Sequence, residues 1–164
     1  MHPKQSTLSL LRWFVAGCGS GFLPKAPGTW GSLAALPMGS WLWLTWQWQG
    51  LLIAAVLLLA LGCAACVPVL KEMVEQDPSW IVVDEWVGQW VCMSFLAIYA
   101  DFSWSLVGLS FIAFRLFDIW KPFPIRQLEH WGPAWWSIMF DDVVAGIMGA
   151  TSVVLFGVIL AWFG

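Results

Sequence analysis

Two stretches of this chain, Leu51–Leu70 and Val143–Phe163, each run for about 20 residues without a charged side chain. As helices rising about 1.5 Å per residue, each is long enough to cross about 30 Å of hydrocarbon. The rest of the composition agrees. The 164 residues are 60% hydrophobic and only 10% charged, where a soluble domain carries about 25% charged residues. Of fifteen tryptophans, Trp41, Trp43, Trp46, Trp48 and Trp162 cluster at the ends of apolar runs, as in the aromatic belts of a membrane–water interface. The chain reads as an all-α integral membrane helical bundle, one domain over residues 1–164.

Three further segments fit between the charges. Ser32–Trp48 is uncharged, and Pro37 and Gly39 are expected to kink it. Trp86–Ala100 and Phe102–Phe114 are shorter, and with Tyr99-Ala100-Asp101 as a turn they form a hairpin of two short crossings. That gives about four to five membrane-embedded helices. The apolar run Leu8–Gly17 is short and interrupted by Arg12, which does not suit a signal peptide. The prolines of segment 119–137 mark a surface or interfacial stretch, and a helix carrying Arg115 and Asp118 is expected to end near Trp120, with Lys121 extended before Pro122.

All seven Lys and Arg fall in segments 1–29, 71–85 and 115–142. If the apolar runs cross in turn, these three segments share one face, and the opposite face carries no Lys or Arg. The positive-inside rule places the charged face in the cytoplasm. The net charge of −3, with no basic stripe, argues against a nucleic-acid partner. The expected partner is the bilayer itself. Oligomeric state is not legible. Cys63-Ala-Ala-Cys66 has no second cysteine pair and no histidine nearby, so these read as small packing residues.

Five acids mark the boundaries of apolar runs on that face. Asp84 and Glu85 precede one span, Asp118 follows another, and Asp141 and Asp142 precede the last. Any one of them has an ordinary alternative as a helix cap. Three acidic sites meeting beside cations point further, to a hard divalent ion held by oxygen ligands, Mg²⁺, Mn²⁺ or Ca²⁺ rather than zinc. The only histidines are His2 and His130. Arg115 and Asp118 have the i, i+3 spacing of a helical pair, and Lys121 follows three residues on. An Arg near the bilayer is costly unless it is paired or functional. Lys25 lies in a Pro/Gly-rich turn before Gly28, Thr29, Gly31 and Ser32, where free N–H groups and hydroxyls suit an anion. A salt-bridged Arg and a simply capped helix start remain the alternatives at these two places. Acids that suit a cation and bases that suit phosphate together indicate metal-assisted phosphoryl chemistry. The patterns of a P-loop, a cysteine phosphatase and a phospho-aspartate enzyme are absent. A small transporter or channel subunit is the rival reading, and it predicts charges inside the spans.

Four segments, Lys25–Ser32, Asp84-Glu85-Trp86-Val87-Gly88-Gln89, Phe114–Ile125 and Asp141-Asp142-Val143-Val144-Ala145-Gly146, resemble phosphatidylglycerophosphatase A in sequence and in order. The third, with R-x-F-D-I-x-K-P-x-P-I, is the most distinctive. The resemblance implies a Mg²⁺-dependent phosphatase of the bacterial cytoplasmic (inner) membrane, multi-pass, converting phosphatidylglycerophosphate to phosphatidylglycerol and inorganic phosphate. The particular lipid comes from the resemblance alone, and another lipid or prenyl phosphate is the alternative substrate. On this reading Asp84, Glu85, Asp118, Asp141 and Asp142 are the expected metal ligands, with a base among the acids. Lys25, Thr29, Arg115 and Lys121 are expected at the phosphate, Lys121 in a catalytic role.

Overall fold

The computed structural model describes residues 3–75, 77–128 and 131–163. Both histidines lie outside them. Among the described residues every regular element is helical: α1 (Pro3–Val15), a short 3-10 turn (Ser20–Phe22), α2 (Pro27–Leu70), α3 (Val83–Tyr99), α4 (Trp104–Trp120), α5 (Ile125–Leu128) and α6 (Ala134–Phe163). Two of these, α2 and α6, are long and apolar enough to cross a membrane, and they contain the two uncharged runs.

The 44 residues of α2 do not form one rod. Gln47 leaves the helical region (φ 53°, ψ −148°), and there the chain doubles back. Gly31 packs against Val82, and Gly62 packs against Val83 beside it. A straight helix would hold these two glycines roughly 45 Å apart. At the far end of the first leg, the Trp43 ring meets Phe102 at 5.7 Å, beyond the end of α3. The two uncharged runs that share α2 are thus antiparallel legs. The kink expected at Pro37 and Gly39 is not where the helix departs, since Gln47 is its only non-helical interior residue. Trp90 Nε1 donates to the Ala35 carbonyl at 2.9 Å, tying the leg to α3 beside the proline. The absent Cβ of Gly39 leaves room for Met93 and Trp90.

α3 stands in the middle. Residues on all its sides are buried, from Val83 and Val87 through Cys92, Met93 and Leu96, the mark of a core helix rather than an amphipathic one. It turns back into α4 through residues 100–103, and the Ser103 hydroxyl caps α4 by accepting from Leu106 N at 3.1 Å. The hairpin expected from sequence is present, with α4 running on past Phe114 to Trp120. On the outside the bundle is apolar. Trp41, Leu44, Ile53, Leu57, Leu109, Ile112 and Leu155 are all exposed, an exposed apolar surface that suits lipid rather than water.

α6 begins earlier than the sequence suggested. Ala134 opens it after Pro133, so Asp141 and Asp142 lie two turns inside the helix. The capping alternative therefore fails for this pair, because their own turn is already hydrogen-bonded. The apolar run still starts only at Val143. Lys121 is also corrected. It is not extended but left-handed (φ 46°, ψ 57°), closing α4 with its N–H on the Phe117 carbonyl.

Candidate active site

Two glycines bring the acids together. Gly88 lies four residues beyond Asp84 on α3, and Gly146 lies four residues beyond Asp142 on α6. The Gly88 carbonyl sits where a Cβ on Gly146 would be, and the Asp142 carbonyl lies against Gly88. Backbones this close require glycine at both positions. One turn back along each helix, Asp84 and Glu85 face Asp142. Single carboxylate oxygens of these three lie within 4.8 Å of one another. Asp84 Oδ1, Glu85 Oε2 and Asp142 Oδ2 are buried without a hydrogen-bond partner. Buried carboxylate oxygens left unpaired are costly, and a hard cation would satisfy them.

The remaining acids are already engaged. Asp118 pairs with Arg115 one turn away on α4, and the same guanidinium reaches Glu85 at 3.9 Å. Lys121 Nζ donates to Asp141 Oδ2 at 2.9 Å, an approach set by the left-handed backbone at Lys121. Asp141 Oδ1 in turn accepts from Asp142 N at 3.0 Å. Arg115 Nε is buried and has no acceptor, so it is a donor open to a ligand. All these groups line one cavity of about 400 Å³, whose wall is completed by Ala26, Pro27, Gly28, Asp77, Ser79, Ile81, Ile119 and Ile138.

Electrostatics follow from crowding. Burial raises the Asp84 carboxyl well above its ordinary value, and the neighbouring Glu85 adds to it. Glu85 is raised to about 8, mainly by burial. Asp142 is raised by burial and by Asp118. Asp141 reaches only about 6, because Lys121 opposes its burial. Without a cation, the cluster holds protons near neutral pH.

The two residues expected at the phosphate from the first motif sit differently. Lys25 is exposed and Thr29 half-buried, and neither lines the cavity. Their motif contributes backbone instead. Lys25 and Ala26 are both left-handed (φ 60° and 51°), and Gly28 packs directly on the Glu85 carboxylate with Arg115 beside it. Any side chain there would displace Glu85. The sequence did not single out Asp77, Ser79 or Ile81, which lack a motif pattern of their own and reach the site through the loop before α3.

Comparison with known proteins points to one family. The family described as Phosphatidylglycerophosphatase A matches residues 13–157. A phosphatidylglycerophosphatase A of Escherichia coli K12 is 37% identical over 137 residues, covering 83% of this chain and 77% of that protein. One from Haemophilus influenzae is 39% identical over 144 residues, covering 88% and 86%. A Bacteroides thetaiotaomicron protein named as a putative phosphatidylinositol-3-phosphatase is 35% identical over 141 residues, covering 80% and 83%. No solved structure matches.

Proposed function

The chain belongs to the phosphatidylglycerophosphatase A family, and from that premise we propose that it hydrolyses phosphatidylglycerophosphate to phosphatidylglycerol and inorganic phosphate at the cytoplasmic face of a bacterial membrane. One observation carries the reading beyond the family likeness: three carboxylates, each with a buried and unpaired oxygen, share a cavity with Arg115 and Lys121. Acids alone would suit any cation, and bases alone any anion. Together they suit a phosphate monoester bound through a cation.

Asp84, Glu85 and Asp142 would hold Mg²⁺, with Asp118 and Asp141 beside them, and the unpaired hard oxygens fit that ion. When bound, Mg²⁺ would draw charge from the phosphoryl oxygens and make a bound water more acidic. The protein's own groups do the rest. Arg115, steadied by Asp118, and Lys121, steadied by Asp141, donate to the phosphoryl oxygens as negative charge develops there. A carboxylate of the cluster takes the proton of the attacking water. The water oxygen bonds to phosphorus as the bond from phosphorus to the glycerol oxygen breaks, and the proton taken by the carboxylate passes to that oxygen, which leaves as the lipid alcohol with inorganic phosphate released. Lys25, exposed next to the cavity-lining Ala26, attracts the anionic headgroup, and the Thr29 N–H donates to the Ala26 carbonyl in the turn that presents Gly28. Four to five embedded helices, counting the two legs of α2, hold the acyl chains in the bilayer with the cavity at the charged face.

A different lipid headgroup is the second reading, favoured by the name of the Bacteroides relative. Phosphate release by the purified protein from a panel of phosphatidylglycerophosphate, phosphatidylinositol phosphate, phosphatidic acid and a prenyl phosphate separates the two. Highest turnover on phosphatidylglycerophosphate is expected. Preference for another member would transfer the assignment to that lipid, and release from none would revive the transporter reading.

A further inference from the structure

The cavity that holds the acids has two kinds of edge. Ala26, Asp77 and Ser79 line it from the segments before α2 and α3 and are exposed. Its large apolar lining residues divide differently. Ile81 and Ile138 are buried, whereas Ile119 is 70% exposed. Ile119 therefore has one side on the cavity and the other outside the bundle. It belongs to α4, whose inner face is made by Val107, Ser110, Ala113 and Phe114. The outer face carries Ile112, Leu116 and Ile119, all exposed, at the i, i+4, i+7 spacing of one helical stripe. That stripe ends at the cavity edge. Arg115 lines the cavity and lies four residues before Ile119. Residues four apart are neighbours on a helix surface, about 6 Å between Cβ atoms. A phosphate held by Arg115 is thus one helical turn from an apolar, exposed edge.

We infer that a diacyl lipid phosphate enters from the bilayer over Ile119, with its acyl chains along Leu116 and Ile112 and its phosphate at Arg115. This rests on the lipid-phosphatase reading above and gives it a direction of approach. The occupant has to be charged at one end and apolar at the other, because the stripe is uncharged while the cavity holds Arg115 and Lys121. A soluble phosphate uses the cavity alone and gains nothing from the stripe. A lipid phosphate touches both, and the polar linker between phosphate and chains crosses Ile119. Chain contacts on the stripe are the same in the ground state and the transition state, so they act on KM and not on the bond-breaking step.

The test compares long-chain phosphatidylglycerophosphate in mixed micelles with its deacylated, water-soluble headgroup, which carries the same phosphate monoester. Ile119→Gln and Leu116→Gln each place a carboxamide among the chains. Each should lower kcat/KM on the long-chain lipid by about tenfold, mostly through KM, and lower it far less on the headgroup. Ile119→Leu, which keeps the edge apolar, should recover most of the loss. Leu57→Gln and Leu155→Gln, comparably exposed on α2 and α6, should leave the long-chain lipid at wild-type values. All four positions are exposed, and a wild-type melting profile shows each variant folded. Equal losses on the two substrates, wild-type kcat/KM for Ile119→Gln on the long-chain lipid, or the same loss at Leu57 and Leu155 would overturn the assignment. Wild-type protein that releases phosphate from neither substrate would overturn the lipid reading itself, and this assignment with it.

Discussion

Substituting Gly88 with alanine tests how the fold makes the site without touching any acid. The added Cβ would lie 2.6 Å from the Asp142 carbonyl oxygen and 2.5 Å from the Phe114 ring. Non-bonded carbon contacts settle at about 3.5 Å, so α3 and α6 must part by about 1 Å. The obstacle on α6 is backbone, and a rotamer change cannot relieve it. Overpacking of this kind costs about 1–3 kcal/mol. The functional loss is larger than the stability loss. Asp84 and Glu85 ride on α3 and Asp142 on α6, so the same shift opens the three-carboxylate group, and a misplacement of about 1 Å lowers turnover by about 100-fold. Gly146→Ala should behave alike, since its Cβ would meet the Gly88 carbonyl. Gly108→Ala and Gly157→Ala are the controls, because nothing lies within 4 Å of either added Cβ. Phosphate release from phosphatidylglycerophosphate in detergent gives the activity, and thermal unfolding followed by tryptophan fluorescence gives the stability. A Gly88→Ala protein with wild-type turnover would refute the idea that this crossing sets the acid geometry.

The other expectations concern the cluster itself. Asp84→Asn and Asp142→Asn should each lower turnover by about 10³-fold or more while the protein stays folded, as judged by its elution and melting profile. Lys121→Ala removes the partner of Asp141 and one phosphate donor, so KM should rise about tenfold, and Lys121→Arg should recover part of it. Stability should depend on pH in a set direction. Glu85 moves from 4.5 to about 8 in the metal-free fold, so between those values the native state holds more protons than the unfolded chain. Metal-free stability then falls as pH rises through that window. Mg²⁺ takes the place of those protons, so the rise in Tm on adding Mg²⁺ should be small at pH 5 and large at pH 8. An equal rise at both would argue that the ion binds elsewhere.

The parts of this account legible in the sequence are those written in local pattern. Uncharged length marked α2 and α6, the two helices long and apolar enough to cross a membrane, and Pro122 marked the end of α4 at Trp120. The charged segments pointed to one face, and the acids of α3, α4 and α6 do line one cavity. Contacts between distant elements were not legible. Nothing in Val87-Gly88-Gln89 says that this glycine meets Asp142, because periodicity describes a helix's own faces and not its partner. The start of α6 was hidden because Trp135 and Trp136 after Pro133 read as an interfacial stretch, yet they form the first turn. The reversal at Gln47 falls at the junction of the uncharged runs Ser32–Trp48 and Leu51–Leu70, whereas the kink expected at Pro37 leaves no non-helical residue there, where contact with Trp90 ties the helix to α3. That Asp77 and Ser79 line the cavity was not legible, because a loop carries no period at all.

The most direct test of the central claim is phosphate release from phosphatidylglycerophosphate by purified protein in detergent, with Mg²⁺ and then with EDTA, beside Asp142→Asn. The account predicts release that requires Mg²⁺, stops with EDTA, and falls by about 10³-fold in the variant. Undiminished release by the variant, or release indifferent to EDTA, would contradict a reaction built on the Asp84, Glu85 and Asp142 carboxylates.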